Sequence, residues 1–229
     1  MSIAITLLIE TLVIIWASTA VLYYRLRLTM ILNLALIGMF AGYMIEIGGS
    51  RTNIGTLWYA AVVMAQCIVL ERYGALFARE AIPIIYAALA TVTLIVWAML
   101  QFPALDGDPA AASIRAVLTP NVAVITGAFI AFWLSQMVLI LSWSAVRPNL
   151  PPVPTMILCS WLAQCVDTPV FFIVAFTERL GDAGMVEAAA LGLLVKCGAA
   201  VALIPAFVVA VLMPQIQNAI QRALAVRRW

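Results

Sequence analysis

The chain contains no histidine, and only 10% of its 229 residues are charged. The missing histidine excludes metal sites, general bases and proton relays that depend on an imidazole. The low charge excludes a soluble globular domain, in which about a quarter of the residues are charged. The four cysteines show no metal-type spacing, so we expect no metal, no cofactor and no disulfide framework, and interpret them as packing residues. They are Cys67, Cys159, Cys165 and Cys197.

Hydrophobic residues make up 66% of the sequence, and the mean hydropathy is +1.13. A membrane-spanning helix needs about 20 apolar residues, and seven stretches meet that length. They leave no room for a soluble catalytic or nucleotide-hydrolysing domain. We therefore predict an all-α, polytopic helical bundle in a single transmembrane domain, 1–229, and no enzymatic activity. The stretches are 3–24, 29–49, 54–72, 80–102, 120–146, 153–177 and 186–213.

The arginines are divided unequally between the two sides of this bundle. Eight fall after the odd-numbered spans and three after the even-numbered ones, which predicts an outer N-terminus and a cytoplasmic C-terminus in the cytoplasmic membrane. We interpret the first span, within 1–27, as retained, because no basic segment precedes it and Glu10 interrupts it. The tail, 214–229, has an apolar face and predicts an amphipathic helix on the inner leaflet.

Asp167 is the only ionisable residue of the sixth stretch and lies near its middle. A carboxylate at that depth costs roughly 2.5–3.5 kcal/mol on insertion scales, so it normally faces a partner, a cavity or a substrate. Lys196, the single lysine, lies near the middle of the next stretch. One acid and one base on consecutive spans indicate a polar site inside the bundle.

Ser160, Gln164, Asp167 and Phe171 are spaced four, three and four residues apart, which places them on one helical stripe. Pro169 is expected to kink the helix beside the acid and to expose carbonyl groups. Gln136, in the middle of the fifth stretch, is a candidate for the same cavity or for a simple interhelical hydrogen bond. The competing interpretation of Asp167 and Lys196 is a purely structural pair that holds two helices together.

A charged turn lies between the third and fourth stretches, at Glu71-Arg-Tyr73-Gly74 and Arg79. Without further context, it predicts a salt-bridged turn in which Gly74 ends a helix. In the second stretch, Glu46 precedes Gly48-Gly49; we interpret the acid as interfacial and the glycines as packing residues.

Together these segments resemble the queuosine precursor transporter family, also called the putative vitamin uptake transporter family. The turn resembles its E-x-Y-G-x-x-x-A-R motif, and Gln136 matches a glutamine of the preceding family helix. The sixth stretch, with Ser160, Gln164, Asp167-Thr168 and Phe171-Phe172, resembles its S/T…N/Q-x-x-D-S/T-x-x-F-F helix. The last span resembles its E…K…P pattern, through Glu187, Lys196 and Pro205.

The resemblance covers roughly residues 40–213 and implies a six-helix core to which the first span is extra. Its departures are Cys67, Ala123 and Leu139, where relatives carry an acid, an arginine and an acid. The substrates it implies are 7-deazaguanine bases for tRNA modification. Asp167 would accept the two adjacent donors of such a base, a glutamine would meet its carbonyl, and Phe171 or Phe172 would stack on its ring. Lys196 would either keep Asp167 ionised or contact the base.

The sequence therefore predicts a membrane transporter that imports a queuosine precursor, with the lipid bilayer and a nucleobase-like molecule as partners, no nucleic acid, and homo-oligomerisation left open. Two alternatives remain. One is a substrate-binding membrane subunit of a vitamin uptake system that separate ATPases energise. The other is a non-transporting membrane assembly subunit. The energy source, the exact base and the effect of the departures stay undetermined.

Overall fold

The computed structural model describes residues 44–47, 50–53, 55–102 and 122–212. Two short strands, β1 (Met44–Ile47) and β2 (Ser50–Asn53), precede three helical elements. These are α1 (Gly55–Gln101), α2 (Val122–Val146) and α3 (Pro152–Ala202), and residues 204–212 continue the last helix beyond a single turn residue.

α1 is a helical hairpin rather than one rod. Gly74 has φ 83° and ψ 173°, a conformation that L side chains rarely adopt, and it separates the arms 55–73 and 75–101. The Gln66 side-chain amide donates a hydrogen bond to the Ala78 carbonyl at 3.0 Å, although a straight helix would place residues 12 apart about 18 Å from each other. The helix end predicted at Gly74 is confirmed.

α3 also reverses direction. It contains two candidate spans, Pro152–Phe176 and Ala183–Ala202, and begins with proline in its first turn. Lys196 contacts Asp167 across 29 positions, which would be about 44 Å apart in a straight helix. The chain must therefore fold back between the two spans, as the sequence predicts. Pro169 lies inside the first of them.

The core forms where α2 packs against α3 and both pack against α1. Its largest fully buried side chains are aromatic, namely Phe132, Phe172, Phe176 and Phe207. Gly127 allows α2 a close approach, since an added Cβ would lie 3.3 Å from the Ala175 Cβ and backbone nitrogen. This contact holds α2 against the first span of α3, which carries Asp167.

Large apolar side chains cover much of the surface, including Leu94 at 64%, Trp97 at 60% and Leu141 at 69% exposure. In water such a surface would drive aggregation, whereas hydrocarbon solvates it. Length and composition mark four stretches of the described residues as able to cross a membrane: Tyr59–Ala87, Val124–Val146, Pro152–Phe176 and Ala183–Ala202. The first of these contains the reversal at Gly74, so it combines parts of both arms of α1. The prediction of an all-α, multi-pass membrane protein is confirmed.

One boundary prediction is wrong. Residues 44–47 were expected to end the second span as helix, but they form β1, which pairs antiparallel with β2 in the register Ile47 with Ser50 and Met44 with Asn53. In the sequence the Gly48-Gly49 pair separates the two strands, and such a pair is a hairpin signal. β2 lies against α3.

Several predictions lie outside the described residues. These are the first span, most of the second, the outer loop with Arg115 and the C-terminal tail. The total of seven spans, the extra helix within 1–27 and the amphipathic segment 214–229 therefore stay predictions.

Candidate functional site

The centre of the bundle holds a buried ion pair. The Lys196 Nζ lies 2.5 Å from the Asp167 Oδ2, and each residue is 3% exposed. The ammonium also donates a hydrogen bond to the Thr168 Oγ1 at 3.1 Å. Two opposite charges at this depth stabilise each other, because either one alone would remain uncompensated in an apolar interior. The predicted approach of Lys196 to Asp167 is confirmed.

Tyr59, from the first arm of α1, completes this centre. Its ring faces the Lys196 ammonium, with 4.6 Å between the Nζ and the ring centroid. Its hydroxyl hydrogen-bonds the Ser135 hydroxyl of α2, which in turn donates to the Phe132 carbonyl at 2.9 Å. The same phenol group lies near the Asp167 carboxylate and the Gln136 amide. Four helical segments thus converge on one tyrosine.

Two buried glutamines border this centre without hydrogen-bond partners among the described residues. The amide atoms of Gln136 and Gln164 make no hydrogen bond of standard geometry to a described residue, although the Gln136 amide lies near the Tyr59 hydroxyl, and each residue is 0% exposed. Leaving one buried polar group unsatisfied costs about 1–3 kcal/mol, so both amides are candidates to hydrogen-bond a bound molecule. Gln164 lies one helical turn before Asp167, on the same face.

The remaining members of the predicted stripe make local contacts. Ser160 is buried, and its hydroxyl donates to the Ile157 carbonyl at 2.9 Å on the same helix. Phe171 is half-buried and packs edge-on against Phe172 and Phe176, with 5.6 Å between ring centroids in each pair. In this arrangement, Ser160 is engaged with its own backbone and Phe171 with neighbouring rings.

A second ion pair lies at the turn of α1. The Arg147 guanidinium holds both oxygens of Glu71, with Nε–Oε2 2.6 Å and a second nitrogen–Oε1 2.8 Å, and it also donates to the Leu150 carbonyl at 3.1 Å. These bonds raise the pKa of Arg147 above its usual value. The sequence predicted a salt bridge within the turn, but the partner of Glu71 comes from the connection between α2 and α3.

The other turn residues are more exposed. Tyr73 is 49% exposed, its ring lies 5.0 Å from that of Phe77, and the Arg72 guanidinium lies 5.5 Å from its centroid. Arg79 is exposed. No group of three or more potential metal ligands occurs within the described ranges.

Comparison with known proteins identifies the group to which this chain is related. A family model described as a putative vitamin uptake transporter matches residues 53–210, which include the ion pair, Tyr59 and both unpaired glutamines. The chain belongs to this family.

One curated protein is also similar to this chain. A protein of Bacillus subtilis (strain 168), named a probable queuosine precursor transporter, is 27% identical over 138 residues. The aligned part covers 58% of this chain and 59% of the relative, so the match spans less than two thirds of the relative's length. No solved structure matches the chain.

In the structure of this vitamin uptake transporter family member, the predicted site residues fall into two groups that lie apart from each other. Asp167 and Lys196 meet directly, and Gln164 and Gln136 border them as buried, unpaired amides. The turn residues lie apart, with Arg79 lining an open apolar groove beside Tyr86 and Trp133.

Sequence reasoning missed Tyr59 and Ser135. The adjacent Gln136 marked that part of α2 as polar, but a tyrosine near the start of an apolar span is equally typical of a membrane interface. Only the packing of four segments reveals the position of Tyr59.

Proposed function

We propose that this protein imports a queuosine precursor, a 7-deazaguanine-type base such as 7-cyano- or 7-aminomethyl-7-deazaguanine, across the cytoplasmic membrane for tRNA modification. The name of the Bacillus subtilis relative suggests the substrate, and membership of a transporter family supports the activity. A base enters here as a free small molecule, so nucleic acid itself is not a partner.

The observation that carries the proposal is the group of unpaired amides beside a buried carboxylate. A deazaguanine presents N1–H and an exocyclic amine side by side, and one carboxylate can accept both hydrogen bonds. An amide can donate to the neighbouring carbonyl oxygen of the base. Asp167, Gln164 and Gln136 offer these groups in the buried interior, where each hydrogen bond discriminates strongly between substrates.

Orientation is part of the proposal. The arginine distribution favours an N-terminus outside and a C-terminus in the cytoplasm. The contact between Glu71 and Arg147 supports one element of it, because it brings together two connections that the arginine count assigns to the same, cytoplasmic side.

The test is the queuosine content of tRNA in a strain that cannot make the precursor. Cells that express this chain and receive 7-cyano-7-deazaguanine should recover queuosine, whereas cells that carry the empty vector should not. The Asp167→Asn variant, checked for membrane insertion, is the matched negative control. Failure of the parent to restore queuosine, despite normal expression and membrane insertion, would refute the assignment.

The family description favours a second candidate, a vitamin-binding membrane subunit that separate ATPases energise. Affinity purification from the native membrane distinguishes the two. Stable co-purification of nucleotide-hydrolysing subunits, together with vitamin uptake that depends on them, would favour the second candidate. A protein that inserts normally but supports neither uptake would instead be a structural assembly subunit.

A further inference from the structure

The Lys196 ammonium makes three contacts that together define a small binding surface. It lies 2.5 Å from the Asp167 Oδ2, 3.1 Å from the Thr168 Oγ1 and 4.6 Å from the centre of the Tyr59 ring. One side of the ammonium is therefore hydrogen-bonded to acceptors, and another faces an aromatic surface. The attraction to the ring comes from the negative face of its π-system.

A flat base with adjacent N–H donors can make the same kinds of contact. Its donors can bond the carboxylate, and its π-face can stack on an aromatic ring. The lysine side chain thus occupies a place whose hydrogen-bonding and aromatic chemistry suits such a base. No covalent step or proton transfer is needed for the base to bind, because it is a neutral hydrogen-bond donor and the ammonium keeps the Asp167 carboxylate as its ionic partner.

Tyr59 differs from an ordinary core aromatic residue in how its two ends are used. Its ring edge packs against Phe132 with 6.3 Å between centroids, as a core residue would. Its hydroxyl, however, is tied to Ser135 and lies beside Asp167 and Gln136, so the phenol is held in the polar centre and not in the apolar core. This anchoring fixes the plane of the ring beneath Lys196.

We propose that Tyr59 forms the floor of the substrate site, and that the incoming base displaces the Lys196 ammonium from the face of this ring, while the ammonium stays paired with the Asp167 carboxylate, to which the base also bonds. The inference rests on the proposed function, and it adds a specificity-determining residue and a competing internal cation to it. The unpaired amides of Gln136 and Gln164 would then pair with the remaining polar edge of the base.

The test measures binding of 7-cyano-7-deazaguanine to the full chain in lipid nanodiscs by equilibrium dialysis. Tyr59→Phe keeps the ring and should bind within about threefold of the parent. Tyr59→Leu removes the stacking surface and should bind roughly 5- to 150-fold more weakly, the range measured for base–aromatic contacts elsewhere. Tyr86→Leu is the matched control, because Tyr86 also packs against Phe132 but bonds the Phe129 carbonyl. It should bind like the parent.

A second measurement does not depend on the folding of the leucine variant. Tyr59 is replaced by p-azidophenylalanine, which keeps an aromatic ring, and the protein is irradiated with the radiolabelled base. Labelling at position 59 that excess unlabelled base suppresses is expected, with none for the same replacement at Tyr86.

The outcomes distinguish the proposed function of the protein from the role proposed for Tyr59. If the parent does not bind the base, the proposed function fails and the assignment of Tyr59 fails with it. If the parent binds but Tyr59→Leu binds equally well, or if position 59 is not labelled, Tyr59 is a packing residue and only the further inference is overturned.

Discussion

The described part of the chain contains two ion pairs that differ in geometry and in burial. Arg147 binds both oxygens of Glu71 through its planar fork, and the arginine side chain is 36% exposed. Lys196 contacts one oxygen of Asp167, and both side chains are almost completely buried, at 4% and 5% exposure. The outer pair uses the full hydrogen-bonding geometry of its carboxylate, as expected for a contact that fastens two connections.

The geometry of the inner pair is poorly suited to holding two helical segments together. A single ammonium on a flexible stem fixes its partner less firmly than a guanidinium does, and burial of both charges carries a large desolvation penalty. Unpaired amides beside it add to that penalty. This difference in geometry and burial indicates that a stabilising role accounts for the outer pair but does not by itself account for the inner one.

The largest effect is expected from removing one inner charge. Lys196→Met strands the Asp167 carboxylate in an apolar interior and should destabilise the fold by about 3–5 kcal/mol. The double variant Lys196→Met with Asp167→Asn should regain much of this stability, yet still fail to restore queuosine. Thermal unfolding in detergent and the tRNA assay measure the two effects separately. Recovery of both stability and uptake in the double variant would show that the pair is only structural.

The next effect concerns recognition. Asp167→Asn keeps the shape but offers one acceptor, and its NH₂ would oppose a donor of the base, which costs about 1–3 kcal/mol or roughly ten- to a hundredfold in affinity. Uptake measured per inserted molecule should fall accordingly. Glu80→Gln, at an exposed position, is the matched control, and a change at Arg115, outside the described residues, should also be nearly silent. Uptake equal to that of the parent would assign the carboxylate to structure.

A smaller and opposite pair of effects is expected at Gln164. Its amide makes no hydrogen bond within the described residues, so Gln164→Met should leave the fold equally stable or stabilise it by about 1 kcal/mol. The same change should weaken uptake, because the base loses a polar partner. Unfolding and uptake assays on one preparation test this combination. A loss of stability would mean that the amide has a structural partner after all.

The smallest effect belongs to the outer pair. The Arg147 side chain is 36% exposed and the Glu71 side chain 10%, so solvent and salt screen this pair more than the inner one, and Glu71→Gln should destabilise the protein by about 1 kcal/mol. The difference from the parent should shrink as salt is raised, whereas the effect of Lys196→Met should not. Unfolding midpoints at low and high ionic strength provide the comparison, and a large, salt-independent loss at Glu71 would erase the distinction between the pairs.

Much of the helical arrangement could be predicted, because hydropathy and length govern which segments cross a bilayer. The predicted spans 54–72 and 80–102 correspond to the two arms of α1, and 153–177 to the first span of α3. The error at residues 44–47 came from treating Gly48-Gly49 as packing residues, although a glycine pair between two short runs also suits a hairpin.

The site was only partly predictable for a different physical reason. The pairing of Asp167 with Lys196 could be predicted because a buried charge needs a partner, and both charges can be recognised within apolar stretches of the sequence. The contribution of Tyr59 and Ser135 depends on how α1 and α2 pack, which leaves no periodic signal in either segment. The bidentate bridge from Glu71 to Arg147 was hidden in the same way, since the nearer arginines of the turn were equally plausible partners.

The hydrogen bond from Gln66 to the Ala78 carbonyl carries a consequence for biogenesis. Donor and acceptor are 12 residues apart, on either side of the Gly74 reversal, so the contact can close as soon as both arms of α1 have left the ribosome. Asp167 and Lys196 are synthesised much later. A helical hairpin closed by this bond before the later helices are made can enter the bilayer as one unit. Asp167 and Lys196 would then meet Tyr59 on an arm that is already in place.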